Sequence, residues 1–420
     1  MDLRLPRRPE ARATPGLRGS DLPAREPSSR SGHPLWRRGF RPFCLAAGAY
    51  GGLAVLGWLL LWHGTLPAPG PLAPAWWHGH EMIFGVATAA IAGFLLTATP
   101  VWTGRPAWVG LPLAALVGLW TTGRVAMWAA GMLPAWLVAL VNTAFLPALA
   151  AVLARTVWRS GQAQNYGVVA VVGVLALANA AVHAQALGLA SASAPRALRF
   201  AVDGIVLLIV VIGGRITPAF TTNALRGRGI GAPVRSRPRL DRMAVACVAW
   251  VAIADLLAPR SAASGAVASA AGIAVALRML GWQTRRTLGN PLLWSLHAGM
   301  AWVAIGLLLV GLGDLGAPIS ATSGLHALTA GAMGSMILAV MTRVGLGHTG
   351  RPLVLPKAAV GAYAWVHVGA LLRVAAPASP PALQTPLLLI GGLLWAAAFW
   401  LFALLYYPIL TRPRPDGAHS

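Results

Sequence analysis

Apolar runs long enough to cross a bilayer recur along almost the whole chain, and no other feature limits its fold as tightly. They lie at 44–62, 81–100, 107–129, 133–154, 166–187, 199–218, 242–258, 264–282, 291–312, 324–343, 358–375 and 385–407. One crossing takes about 20 apolar residues, so the pattern predicts an all-α polytopic membrane protein of about twelve transmembrane helices. A soluble domain carries roughly a quarter charged residues. Here 10% are charged and 57% are hydrophobic, so a soluble helical protein would lack the polar outer faces it needs. Cys44 and Cys247 stand alone in separate runs, which implies neither a disulfide framework nor a CxxC site.

The net charge of +23 raises nucleic acid as a partner, but its placement argues for topology instead. Ten arginines fall within the first 41 residues, and most of the others lie between apolar runs. Residues 1–33 are rich in Arg, Pro, Ser and Gly and cannot bury a core, so they read as a disordered cytoplasmic tail. A single transmembrane domain is expected over 34–410, with a short cytoplasmic tail at 411–420. If the first tail is inside, the cytoplasmic connections hold Arg105, Arg155, Arg159, the Arg226–Arg239 group, Arg285, Arg286, Arg351, Lys357, Arg412 and Arg414. The opposite connections hold Arg196 and Arg260. That asymmetry is the positive-inside signature, and it puts both termini in the cytoplasm of a bacterial inner membrane.

In this orientation His63, His78, His80, Glu81, His183, Asp203, Asp255 and His326 fall at the outer ends of spans, as does Arg124 more loosely. His297 and His348 lie toward the cytoplasm and His367 near mid-span. An internal match links two of these places. Placing His80 on His326 aligns Gly85 with Gly331, Ile91 with Ile337, and Thr103-Gly104-Arg105-Pro106 with Thr349-Gly350-Arg351-Pro352. A weaker echo sets Gly204 of the sixth span on Gly85. Spans two, six and ten then suggest three pseudo-symmetric four-helix units. The alternative is that the shared motif is a convenient turn and the glycines are packing positions.

Ionisable side chains inside a membrane mark functional sites by default. Neutral imidazole suits iron and copper, and a haem needs one or two axial ligands and a flat apolar slot. His80 and His326, at equivalent depths, are the expected axial pair for a haem b, with Gly79, Gly85, Gly324 and Gly331 admitting a macrocycle or a neighbouring helix. Arg124 is expected either to pair with the propionates or to form an ion pair with Asp203, Asp255 or Glu81. His78 sits two residues from His80, so a regular helix points the two apart. With His183 and His63 it is the candidate copper group. Glu81, Asp203 and Asp255 are candidates for a proton path. His297 and His348 are separated from this cluster by the topology; His348 reads as closing a cytoplasmic turn and His367 as structural. No phosphate-binding loop or catalytic triad occurs.

These residues resemble the NnrS family of bacterial membrane proteins. The resemblance is carried by Pro34–Phe43, His78–Gly85 through Trp102-Thr103-Gly104, Gly214–Thr221, Leu325–Thr329, and Gly347–Pro352. It covers about residues 34–405 and departs at Gly79, where Ala is expected, and at Val101, where Asn is expected. It implies a haem- and copper-containing protein linked to nitric oxide stress and denitrification, with nitric oxide as ligand and an electron donor of unknown identity. The three-by-four helix reading is also similar to the catalytic subunit of haem–copper oxidases and nitric oxide reductases. There helices two and ten supply haem histidines; here spans six and seven have no histidine for the oxidase-type copper. Two rival readings are a secondary transporter, with Arg124, Arg215, Arg278 and Arg343 along its path, and a protein that hands copper or haem onward.

Overall fold

Runs dominated by Ala, Leu, Val and Gly have no polar side chains to compete with the backbone. In an apolar medium each backbone group must be satisfied within its own segment, and every one of the twelve runs is helical. The computed structural model describes residues 32–162, 165–231 and 234–417. The tail expected at 1–33 lies, apart from its last two residues, outside them, as does the end of the second tail.

The long segments are α1 (Phe40–Trp62), α2 (Pro74–Thr103), α3 (Leu111–Trp128), α4 (Ala135–Trp158), α5 (Tyr166–Ala186) and α6 (Ser193–Gly227). The second half adds α7 (Pro238–Leu257), α8 (Ala262–Met279), α9 (Pro291–Asp314), α10 (Ala321–His348), α11 (Lys357–Ala378) and α12 (Pro381–Thr411). No strand occurs among the described residues. Ten of the helices are long and apolar enough to cross a membrane. The other two, α3 and α7, occupy the positions expected for the third and seventh spans, but α3 carries Arg124 and α7 carries Asp241, Arg242 and Asp255. The protein is a multi-pass membrane protein, and ten crossings rather than twelve meet the criterion of length and composition.

Two helices depart from α-geometry at matching places. Glu81–Ala87 in α2 and Ala327–Met333 in α10 are π-helical turns, and each begins directly after a member of the His80/His326 pair. Both helices then end at a left-handed glycine in the shared Thr-Gly-Arg-Pro motif, Gly104 at φ 66° and Gly350 at φ 68°, where only glycine escapes a Cβ clash. The internal match therefore has a structural counterpart in α2 and α10. The sixth span does not share it, because α6 is α-helical throughout.

A π turn leaves carbonyls without their usual partner, and tryptophans supply one. Trp120 Nε1 donates to Gly85 O at 3.1 Å, and Trp395 Nε1 donates to Ala330 O at 3.2 Å. The aligned glycines let rings lie against the two turns. A Cβ on Gly85 would stand 2.7 Å from the Tyr50 ring, and one on Gly331 would stand 2.6 Å from the Trp302 ring. Gly324 packs the same way against Val310. These three glycines admit neighbouring side chains and helices rather than a macrocycle.

The first and last helices close the bundle on each other, α1 packing along α12. Arg41, fully buried on α1, donates through Nη1 to the carbonyls of Leu410 and Arg412, both at 2.9 Å. These carbonyls lie at the end of α12, where intrahelical donors run out.

Candidate functional site

A cavity of about 900 Å³ opens at the end of the bundle where α2 and α10 begin. Its walls come from α1, α2, α6, α7, α9, α10, α11 and α12, and its volume is that of a pocket for a substantial organic ligand. Most of the lining is apolar, including Ile83, Val86, Met333, Ile337 and Leu388. Two imidazoles enter it, those of His78 and His326, which lie within electrostatic range of one another.

His326 is held firmly. Its Nδ1–H donates to the carbonyl of Thr322 at 2.8 Å, which fixes the tautomer and leaves the Nε2 lone pair free. Metal-binding histidines are typically oriented by such a bond to a backbone carbonyl. His78 is oriented differently: its ring stacks on Trp58 with centroids 4.6 Å apart and an interplanar angle of 19°. Its Nδ1 is buried without a hydrogen-bond partner among the described residues. Two imidazoles lining an apolar space are a donor set that fits a flat macrocyclic metal cofactor of the haem kind.

His80 does not reach this cavity. Two residues along a regular helical turn, its ring points away from His78 toward α5, as helical spacing requires. It is fully buried, with Nδ1 2.7 Å from Glu81 Oε1 and Nε2 2.9 Å from Asn179 Oδ1. The Asn179 amide is fixed by donating to Asn142 O and Oδ1 at 3.3 and 3.2 Å, so its oxygen must face the histidine. Both nitrogens of His80 therefore meet acceptors, and neither is free for a metal. Of the expected axial pair, only His326 lines the cavity, and the other histidine in the lining is His78.

Arg124 is also committed elsewhere. Its Nη1 donates to Glu81 Oε1 at 2.8 Å, and Tyr50 donates to the other oxygen of the same carboxylate. Trp128 Nε1 donates to Tyr50 at 3.0 Å. Of the two expectations for Arg124, the structure has the ion pair with Glu81. These groups form a buried polar cluster in which breaking one member leaves a charge uncompensated. Glu81 is thus an anchor inside a packed cluster and does not line the cavity.

The proposed copper residues are not brought together. His183 lies against His80, ring centroids 5.3 Å apart, with its Nε2 buried and without a hydrogen-bond partner among the described residues. His78 faces the cavity, and His63 is exposed at the end of α1, within 3.4 Å of Thr65 Oγ1. Among the described residues no three His, Cys, Asp or Glu side chains gather as a metal site. The residues present do not fit a separate copper centre.

Asp203 and Asp255 share Arg199, at 3.5 and 2.7 Å, and Asp255 and Arg199 line the cavity. They form one cluster at its mouth, separate from Glu81. The arginines expected along a transport path are not gathered either: Arg278 pairs with Asp241 at 2.6 Å, Arg343 lies 3.8 Å over the Phe220 ring, and Arg215 is exposed. His297 bridges Thr221 and Thr284 at 2.9 Å each, and His367 accepts from Trp302 at 3.0 Å. His348 packs on Phe40. None of these three lines the cavity.

Sequence reasoning missed Trp58, Asn179 and Arg373. The first two carry no local signal, because tertiary packing alone brings them to a histidine. Arg373 had one, a lone cation near the end of an apolar run.

No curated protein matches the chain. One family description does, that of the NnrS protein, over residues 34–414. That match takes in all twelve helices, the cavity and both of its histidines, so the chain belongs to the NnrS family.

Proposed function

We propose that the protein is a haem protein of the bacterial inner membrane that acts in the nitric oxide response, with both termini cytoplasmic and the cavity toward the outer face. The observation that carries this reading is the His78/His326 pair in one apolar cavity, with His326 Nε2 left free by the Thr322 bond. A bound haem supplies an iron centre able to bind nitric oxide and exchange electrons. The chain's own part is to present two imidazoles, to surround the ring with apolar walls, and to keep water away from all but the charged mouth at Arg199 and Asp255. Orientation rests on the arginine asymmetry of the connections. Binding and reduction of nitric oxide are both compatible with the arrangement.

The test is an absorption spectrum with metal analysis of the purified protein beside His78→Ala, His326→Ala and His80→Ala. Loss or alteration of the Soret band in the first two supports the reading. Unaltered haem in both would overturn the ligand assignment, and a wild-type protein without haem would overturn the function.

A further inference from the structure

Inside the cavity, Arg373 of α11 is a cation with no ion-pair partner among the described residues. It lines the space beside His78 and His326 and acts electrostatically on both. No hydrogen bond or ion pair holds its guanidinium among the described residues, and no acidic side chain is close enough to act on it. Arg199, the other half-buried arginine in the lining, is tied to Asp203 and Asp255, while Arg196 and Arg260 are exposed at the rim. Arg373 sits in the last turn of the α-helical part of α11, facing the negative end of the helix dipole. That effect is smaller than the cost of an unpaired guanidinium at membrane depth, so the site is built for an anion.

The position defines the anion's chemistry. Ser323, near the start of α10, donates to the carbonyl of Val374 at 2.9 Å, so Arg373 stands at the end of the bundle where the cavity opens, while Met333, Gly334 and Ile337 line it about three turns or more further along α10. A ligand filling this space is amphipathic, with an anionic oxygen group at the mouth and an apolar body directed inward. A planar guanidinium matches a carboxylate with two parallel bonds.

We infer that Arg373 is the docking point for a carboxylate of the cavity's ligand, which on the haem reading is a propionate. Arg373 thereby takes the place that sequence reasoning offered to Arg124. This inference rests on the haem reading for the identity of the ligand. An anionic lipid headgroup presents similar oxygens, and the experiment separates the two sources.

Full-length protein purified from haem-starved cells is titrated with haem and with haem dimethyl ester, whose carboxylates are blocked, and followed at the Soret band. The wild type is expected to bind the free acid more tightly than Arg373→Leu by on the order of ten- to a hundredfold, the range for a hydrogen bond to a charged group. The ester is expected to bind both proteins alike, and Arg373→Lys to recover part of the difference. Equal weakening of acid and ester, or of neither, overturns the inference while leaving the haem reading in place. Native mass spectrometry showing a phospholipid lost in Arg373→Leu, with haem titrations unchanged, also overturns it. Failure of the wild type to bind either form removes the haem reading itself.

Discussion

His326 Nδ1 donates to the carbonyl of Thr322 across 2.8 Å, one helical turn back along α10. The bond orients the ring so that its other nitrogen faces the cavity, while His78 depends on stacking against Trp58. The two imidazoles are thus held by different forces, and substitutions should separate them.

Trp58→Leu removes the stacking surface of His78 without touching His326. On the proposed haem reading, the expected outcome is weaker haem retention with a changed Soret position, milder than in His78→Ala. A spectrum identical to wild type would show that the stack does not position His78.

Glu81→Ala leaves Arg124 buried without its carboxylate and His80 with Asn179 as its remaining partner. Loss of one member of a buried ion pair costs about 3–5 kcal/mol, so thermal unfolding in detergent should fall sharply. Glu81→Gln should cost less, because its amide oxygen still accepts from Arg124. Similar melting of the two variants would indicate that charge compensation does not govern the cluster.

Gly85→Ala and Gly331→Ala drive a Cβ to within 2.7 Å of the Tyr50 ring and 2.6 Å of the Trp302 ring. Overpacking of this kind costs about 1–3 kcal/mol. Gly79→Ala should be tolerated, since its Cβ would meet Leu198 at an ordinary 3.4 Å. Stability of the three variants in the same detergent checks the ranking.

Periplasmic and cytoplasmic reporter fusions test the orientation. A reporter in the 63–73 connection should be active only outside, and one after Arg159 only inside. The reverse pattern would invert the bundle and carry the cavity to the cytoplasmic face.

The helices were legible because membrane burial writes itself as length and apolarity, and the two Thr-Gly-Arg-Pro turns because a left-handed glycine has a local signature. The choice between His78 and His80 was not legible. Repetition pointed to His80, since it aligns with His326, but α2 and α10 meet different neighbours. In α2 the aligned histidine turns to Asn179 and Glu81, while the cavity receives the histidine two positions earlier. A sequence match shows that two helices are built alike, whereas the direction in which a side chain is used depends on what packs against it. The π turns were equally silent: nothing in Glu81–Ala87 or Ala327–Met333 distinguishes five-residue from four-residue hydrogen bonding until Trp120 and Trp395 arrive from distant helices.

The pairing of α1 with α12 sets an order of events during synthesis. Domains built on the ribosome generally begin with what has already emerged, yet one wall of the cavity belongs to α1 and α2 and another to α10, α11 and α12. Arg41 Nη1 must wait for the carbonyls of Leu410 and Arg412 before it has acceptors. The pocket is therefore incomplete until α12 has been made and has packed along α1, and any occupant is enclosed only after that step.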